Sequence, residues 1–186
     1  IGQINITDMP LSFFMTLSLA GFWMGYRRDR KYFLLFYLGM ALALLTKGLV
    51  GVVLPAGVAF WWIVLTRKWE VVRKTIYLPG LAIFFLVAAP WFVLVCMKNP
   101  DFFDFFFIQE HFLRYTTKMH GRFEPWWWFI PIIIVGSIPW TGFLPGAIAD
   151  ALPSSIASPT RQDRGKIFLL LWFGIIFLFF SISNSK

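Results

Sequence analysis

The chain has 186 residues, of which 59% are hydrophobic, 20% aromatic and only 14% charged. That leaves too little polar surface to cover a compact water-soluble core, so the composition excludes an ordinary soluble domain. The net charge of +8 could suit nucleic acid, but the positions of the charges argue against it.

Six apolar segments follow in order, over about 10–26, 32–46, 49–66, 75–97, 126–150 and 166–183. A helix crossing a hydrocarbon core of about 30 Å needs roughly 20 apolar residues. The runs are continuously apolar and lack the alternation of a membrane barrel, which predicts an all-α membrane protein: a polytopic transmembrane bundle of about six helices. Thr7-Asp8-Met9-Pro10 reads as a helix start, with Asp8 as N-cap and Pro10 in the first turn. Pro79 and Pro90 predict kinks in the fourth segment, and Pro131, Pro139 and Pro145 a break in the fifth. Trp126, Trp127 and Trp128 form an interfacial aromatic belt. The stretch SSIASPTRQDRGK has the composition of a flexible linker. Cys96 is the single cysteine and lies in an apolar run, so no intrachain disulfide forms.

Eleven of the seventeen Lys and Arg residues fall in three clusters: Arg27, Arg28, Arg30 and Lys31; Arg67, Lys68, Arg73 and Lys74; Arg161, Arg164 and Lys166. They occupy every second connection, the pattern that keeps such loops on the cytoplasmic side. Anionic lipid headgroups, and no nucleic acid, are the expected partners of these charges. The N-terminal stretch with Asp8, the Lys47-Gly48 turn, the loop 100–125 and Lys186 then face outward. The chain lacks an initiator Met and ends in Ser-Asn-Ser-Lys, so we expect residues 1–186 to be part of a longer membrane domain, with 100–125 as a periplasmic loop.

That loop, PDFFDFFFIQEHFLRYTTKMHGRFEP, gathers acids, bases and both histidines among aromatic residues. Its first half predicts a helix lying in the membrane interface. Glu110 and Arg114 stand four residues apart, as a helix-surface ion pair does. His111 is either a hydrogen-bonded structural histidine or a ligand, and the chain shows no HxxxH or CxxC spacing. Asp8 reads as a cap or as a carboxylate that orients a nucleophile. Lys47 either snorkels to the interface or supplies a fixed charge for a phosphate. Asp8, Lys47, Glu110, His111, Arg114 and Lys186 all map to one face, where they would form a polar, mostly cationic cup over an apolar bundle. Such a cup suits an amphiphile with a phosphate head and a hydrocarbon tail.

The motifs TDMPLSFF, ALLTKGLVG, FFFIQEHFLRY, HGRFEPWWW and SISNSK together resemble the phospholipid-carrier-dependent glycosyltransferases of the C-type membrane fold. That group includes bacterial aminoarabinose transferases acting on lipid A and, more distantly, protein O-mannosyltransferases. The resemblance implies transfer of a sugar from a polyprenyl-phosphate donor to a lipid or protein acceptor at the outer face of the bacterial inner membrane. It implies a catalytic or orienting role for Asp8, donor-phosphate binding by Lys47, Arg114 and Lys186, and an outer-loop site at Glu110 and His111. A divalent metal ion at His111 would need ligands from the family's first outer loop, which precedes residue 1 together with its principal acidic residue. A transporter or flippase of a lipid-linked substrate is the alternative, and a non-catalytic membrane scaffold a third reading. A transporter should carry ionisable groups near the bilayer midplane, and the apolar segments here are almost free of them.

Overall fold

In the computed structural model, residues 7–99, 102, 125, 127–156 and 158–182 are described. Among them every regular element is helical. The chain divides into two compact units, residues 1–104 and 105–186.

The first unit contains α1 (Asp8–Arg27), a 3-10 turn (Arg30–Tyr32), α2 (Phe33–Lys47), α3 (Val50–Thr66), α4 (Glu70–Thr75) and α5 (Leu78–Lys98). Helix α2 packs on α1, α3 and α5. Its contacts with α1 and α3 are made through small residues, because helices embedded in lipid gain little from apolar burial and depend on close backbone approach. A Cβ added to Gly21 would stand 2.5 Å from the Phe36 nitrogen, and one added to Gly39 would stand 2.7 Å from the Ser18 nitrogen. Between them the buried Ser18 hydroxyl donates to the Phe36 carbonyl at 2.9 Å. Gly51 brings α3 equally close to the backbone of Ala43. The aromatic centre of the unit is Trp62, which is fully buried and meets the edges of Phe22, Trp23 and Tyr26 at 5.7, 6.0 and 4.6 Å between ring centroids.

The outer faces invert the arrangement of a soluble protein. Helix α5 is nearly all apolar, yet only Gly80 and Ala88 on it are buried, while Phe85, Leu86, Val93 and Leu94 are exposed. With 21 residues at about 1.5 Å each it is long enough to cross a bilayer.

The second unit contains α6 (Phe129–Gly136), a 3-10 turn (Trp140–Phe143), α7 (Leu144–Ala151) and α8 (Arg161–Ile182). Helix α8 begins with a reciprocal cap. The Asp163 carboxylate accepts from the Thr160 amide at 3.0 Å and from its hydroxyl at 2.8 Å, and the Asp163 amide donates to the Thr160 hydroxyl at 3.2 Å. The other oxygen of Asp163 accepts from the Ser154 amide at 2.7 Å, tying the preceding connection to the helix.

Several expectations need correction. Among the described residues, two helices are long and apolar enough to span a membrane, Leu78–Lys98 and Arg161–Ile182. A third span results if Phe129–Gly136 and Trp140–Ala151, bent by 110°, count as one. The chain is thus all-α and multi-helical, and six full spans are more than these lengths support, because segments such as α2 and α3 are only 15 and 17 residues long. The break in the fifth segment occurs as expected, between Gly136 and Trp140. Pro79 does not kink its helix, because it sits in the first turn, where no intrahelical donor is lost. Helix α5 continues through Pro90. The N-cap of α1 is Thr7, and Asp8 is the first helical residue; its carboxylate is engaged elsewhere. Helix α8 starts at Arg161 rather than 166, so the second half of the expected linker is helix. The expected interfacial helix of the loop 100–125 falls almost wholly outside the described residues.

Candidate functional site

Helices α1 and α2 form an antiparallel pair, so the first residue of α1 and the last of α2 return to the same end. The register set by Ser18, Gly21 and Gly39 brings Asp8 and Lys47 together across 39 positions, where the Lys47 Nζ forms an ion pair with Asp8 Oδ1. Gly48 ends α2 with φ of 78°, a conformation open to glycine, and its amide donates to the Leu44 carbonyl at 2.9 Å. A side chain at that position would be strained, so the glycine fixes the point at which Lys47 leaves the helix.

Each member of the pair also sits where the helix dipole favours its charge: Asp8 at the positive end of α1 and Lys47 at the negative end of α2. The side chains are 62% and 43% exposed respectively. An ion pair so open to water contributes only about 0.2–1 kcal/mol to stability, so its retention would need a reason beyond folding. The nearby hydroxyls of Ser12 and Thr16 donate to the carbonyls of Asp8 and Ser12, each at 2.8 Å. Exposed Met9 and Phe13 lie on the same turns. The result is an accessible cation held beside a carboxylate at the mouth of an apolar bundle. This geometry can hold a phosphate through Lys47 and present a carboxylate to a second reactant.

Of the residues singled out from sequence, the structure brings together Asp8 and Lys47. Glu110, His111, Arg114 and Lys186 lie outside the described residues. Among the described residues no three His, Cys, Asp or Glu side chains gather.

One feature of the second unit escaped the sequence reading. Two rows on α8, Leu169, Phe173 and Phe177 beside Trp172, Ile176 and Phe180, face Phe129 and Ile133 of α6 across a cavity of 410 Å³. Its lining is almost entirely apolar and suits hydrocarbon rather than chemistry. The spacing of four residues was readable, but in a helix apolar on all sides it does not distinguish a groove from a lipid-facing surface.

Comparison with known proteins extends these observations. Residues 1–106 match the family model described as dolichyl-phosphate-mannose-protein mannosyltransferase. Over its whole length the chain is 35% identical to undecaprenyl phosphate-alpha-4-amino-4-deoxy-L-arabinose arabinosyl transferase 1 of Proteus mirabilis, of which it covers 33%. It is 32% identical, again over its whole length, to the corresponding transferase of Pseudomonas aeruginosa, covering 33%. The crystal structure of ArnT from Cupriavidus metallidurans bound to undecaprenyl phosphate superposes with a TM-score of 0.84 at 35% identity, over 98% of this chain and 33% of that one. The chain therefore spans about a third of the length of the relatives it matches. More than half of it fits one family model, and nearly all of it shares a solved fold at substantial identity, so the chain belongs to the dolichyl-phosphate-mannose-protein mannosyltransferase family.

Proposed function

We propose that the protein to which this chain belongs transfers an aminoarabinose-type pentose from a polyprenyl-phosphate donor to a lipid A-like glycolipid. The observation that carries this reading is the likeness, over 98% of the chain and at 35% identity, to a transferase crystallised with undecaprenyl phosphate. The topology is that of a multi-pass protein of the bacterial inner membrane. Its six segments cross with the basic clusters inside, and the loop 100–125 and the active face lie in the periplasm. The short helices α2 and α3 serve as crossings within the larger bundle.

In the reaction the acceptor oxygen bonds to the anomeric carbon while the bond from that carbon to the carrier phosphate breaks, with inversion. The phosphate leaves with the electron pair, and its growing charge is stabilised by Lys47, Arg114 and Lys186. Asp8 orients the acceptor and takes its proton if the acceptor is a hydroxyl; an acceptor phosphate needs no such step. Glu110 and His111 line the site from the outer loop. A divalent ion held by His111 would belong to the same proposal, and transfer would then be lost on chelation.

The transporter reading is weaker because charged residues on the described helices stay near helix ends. The test is transfer by the full-length protein from purified undecaprenyl-phosphate aminoarabinose to lipid A, with a protein acceptor as the competing arm. Lys47→Ala and Arg114→Ala should abolish transfer while expression persists. Transfer at parental rates in both variants would sink the site assignment, and movement of the donor across vesicles without transfer would favour transport.

A further inference from the structure

We propose that the basic end of the first unit, opposite to Asp8 and Lys47, is a binding site for anionic phospholipid headgroups. It is formed by the end of α1, the 3-10 turn, the end of α3 and helix α4. The proposal rests on the membrane-spanning reading above and does not depend on sugar transfer.

Eight cations meet here: Arg27, Arg28, Arg30, Lys31, Arg67, Lys68, Arg73 and Lys74. Two acids accompany them, and each is taken by a neighbouring lysine, Asp29 by Lys31 at 3.6 Å and Glu70 by Lys68 at 3.5 Å. Arg28, Arg67, Arg73 and Lys74 are exposed and have no ion pair among the described residues.

A topological bias toward the cytoplasm needs only charge, and this surface has more than charge. Helix α4 is fixed in place. Val71 is fully buried, and the carbonyls at and just beyond the C-terminus of α4 are taken by side chains from the α1–α2 corner. Arg30 donates to Lys74, Arg73 and Ile76 at 3.2, 3.1 and 2.8 Å, and the Tyr37 hydroxyl donates to Thr75 at 2.8 Å. The Arg30 guanidinium also lies 5.0 Å from the centre of the Tyr77 ring. A helix end whose carbonyls are satisfied internally can sit where water is scarce. At the two ends of α4, Trp69 and Ile76 are 59% and 61% exposed, and Leu78 is exposed next to them. Large apolar side chains interleaved with unpaired cations match the acyl boundary and the phosphate layer of a lipid monolayer.

The test uses the full-length protein in neutral detergent, titrated with phosphatidylglycerol or phosphatidylcholine in mixed micelles, and reads the thermal midpoint. Phosphatidylglycerol should raise the midpoint and phosphatidylcholine should not. Removing two of the cations by Arg73→Gln with Lys74→Gln should weaken the apparent lipid affinity by about thirtyfold. Arg28→Gln with Arg67→Gln supplies an independent pair should the first fail to fold. Exchange of charge type, Arg73→Lys with Lys74→Arg, and Arg161→Gln in the second unit should both retain the shift. Equal stabilisation by phosphatidylcholine, the same shift from inorganic phosphate, or full affinity in a folded Gln pair would each overturn the proposal.

Discussion

Replacing Lys47 by Gln removes the charge and keeps most of the side-chain length, and the structure sets what that can cost in stability. The pair with Asp8 is exposed on both sides, which bounds its contribution at about 0.2–1 kcal/mol. Loss of a favourable charge at the C-terminus of α2 adds about 0.3–1 kcal/mol. Against an ordinary folding stability of about 5–15 kcal/mol, a deficit of about 2 kcal/mol still leaves nearly all molecules folded. Transfer should behave differently. A cation facing the leaving phosphate acts in the transition state, and removing one such donor costs about 100-fold to 1,000-fold in turnover. The assay is steady-state transfer from undecaprenyl-phosphate aminoarabinose by full-length enzyme, with the thermal midpoint measured in parallel. Lys47→Arg should keep part of the activity, because charge is conserved while geometry changes. Asp8→Asn added to Lys47→Gln separates the two roles. If the lysine serves only to hold Asp8, the double variant is no worse than Asp8→Asn alone; if it also meets the donor, the double variant is slower. Turnover in Lys47→Gln within about twofold of the parent would refute the reasoning, since a group on the leaving phosphate cannot be that dispensable.

Two structural predictions complement it. Gly51→Ala places a methyl carbon 2.4 Å from the carbonyl carbon of Ala43 and should destabilise the protein by about 1–3 kcal/mol, whereas Gly57→Ala on the same helix meets nothing within 4 Å and should be neutral or stabilising; equal thermal midpoints for the two would contradict the close approach of α2 and α3. Arg30→Met keeps the stem and deletes the donors to three carbonyls at and beyond the end of α4, so it should cost about 1–3 kcal/mol and speed amide exchange at residues 70–76, and unchanged exchange there would show that Val71 and the Tyr37 hydroxyl suffice to hold α4.

Much of the helical order was legible because apolar runs bounded by basic clusters leave few alternatives in a membrane. The break at Ser137 and Pro139 was legible for a local reason, the density of prolines. The start of α8 was not, because its cap is a Thr with Asp at the third helical position, set in a Ser-Pro-Thr string that reads as linker. Helix α4 escaped notice as well. Six residues with a single buried side chain carry no period, and what holds its end is Arg30 together with Tyr37, 38 to 46 positions earlier in the chain.

The sequence placed Asp8 and Lys47 on one face through charge bias alone, but their contact depends on register, and register in this unit is carried by Ser18, Gly21 and Gly39. Those signals are hard to read because glycines look alike in sequence. Gly51 stands against a neighbouring backbone and Gly57, six residues along the same helix, stands in open space. In a soluble helix the polar face would tell them apart. In α3, apolar on nearly every side, only the partner helix does, so the residues that aim the candidate site are legible only after the packing is known.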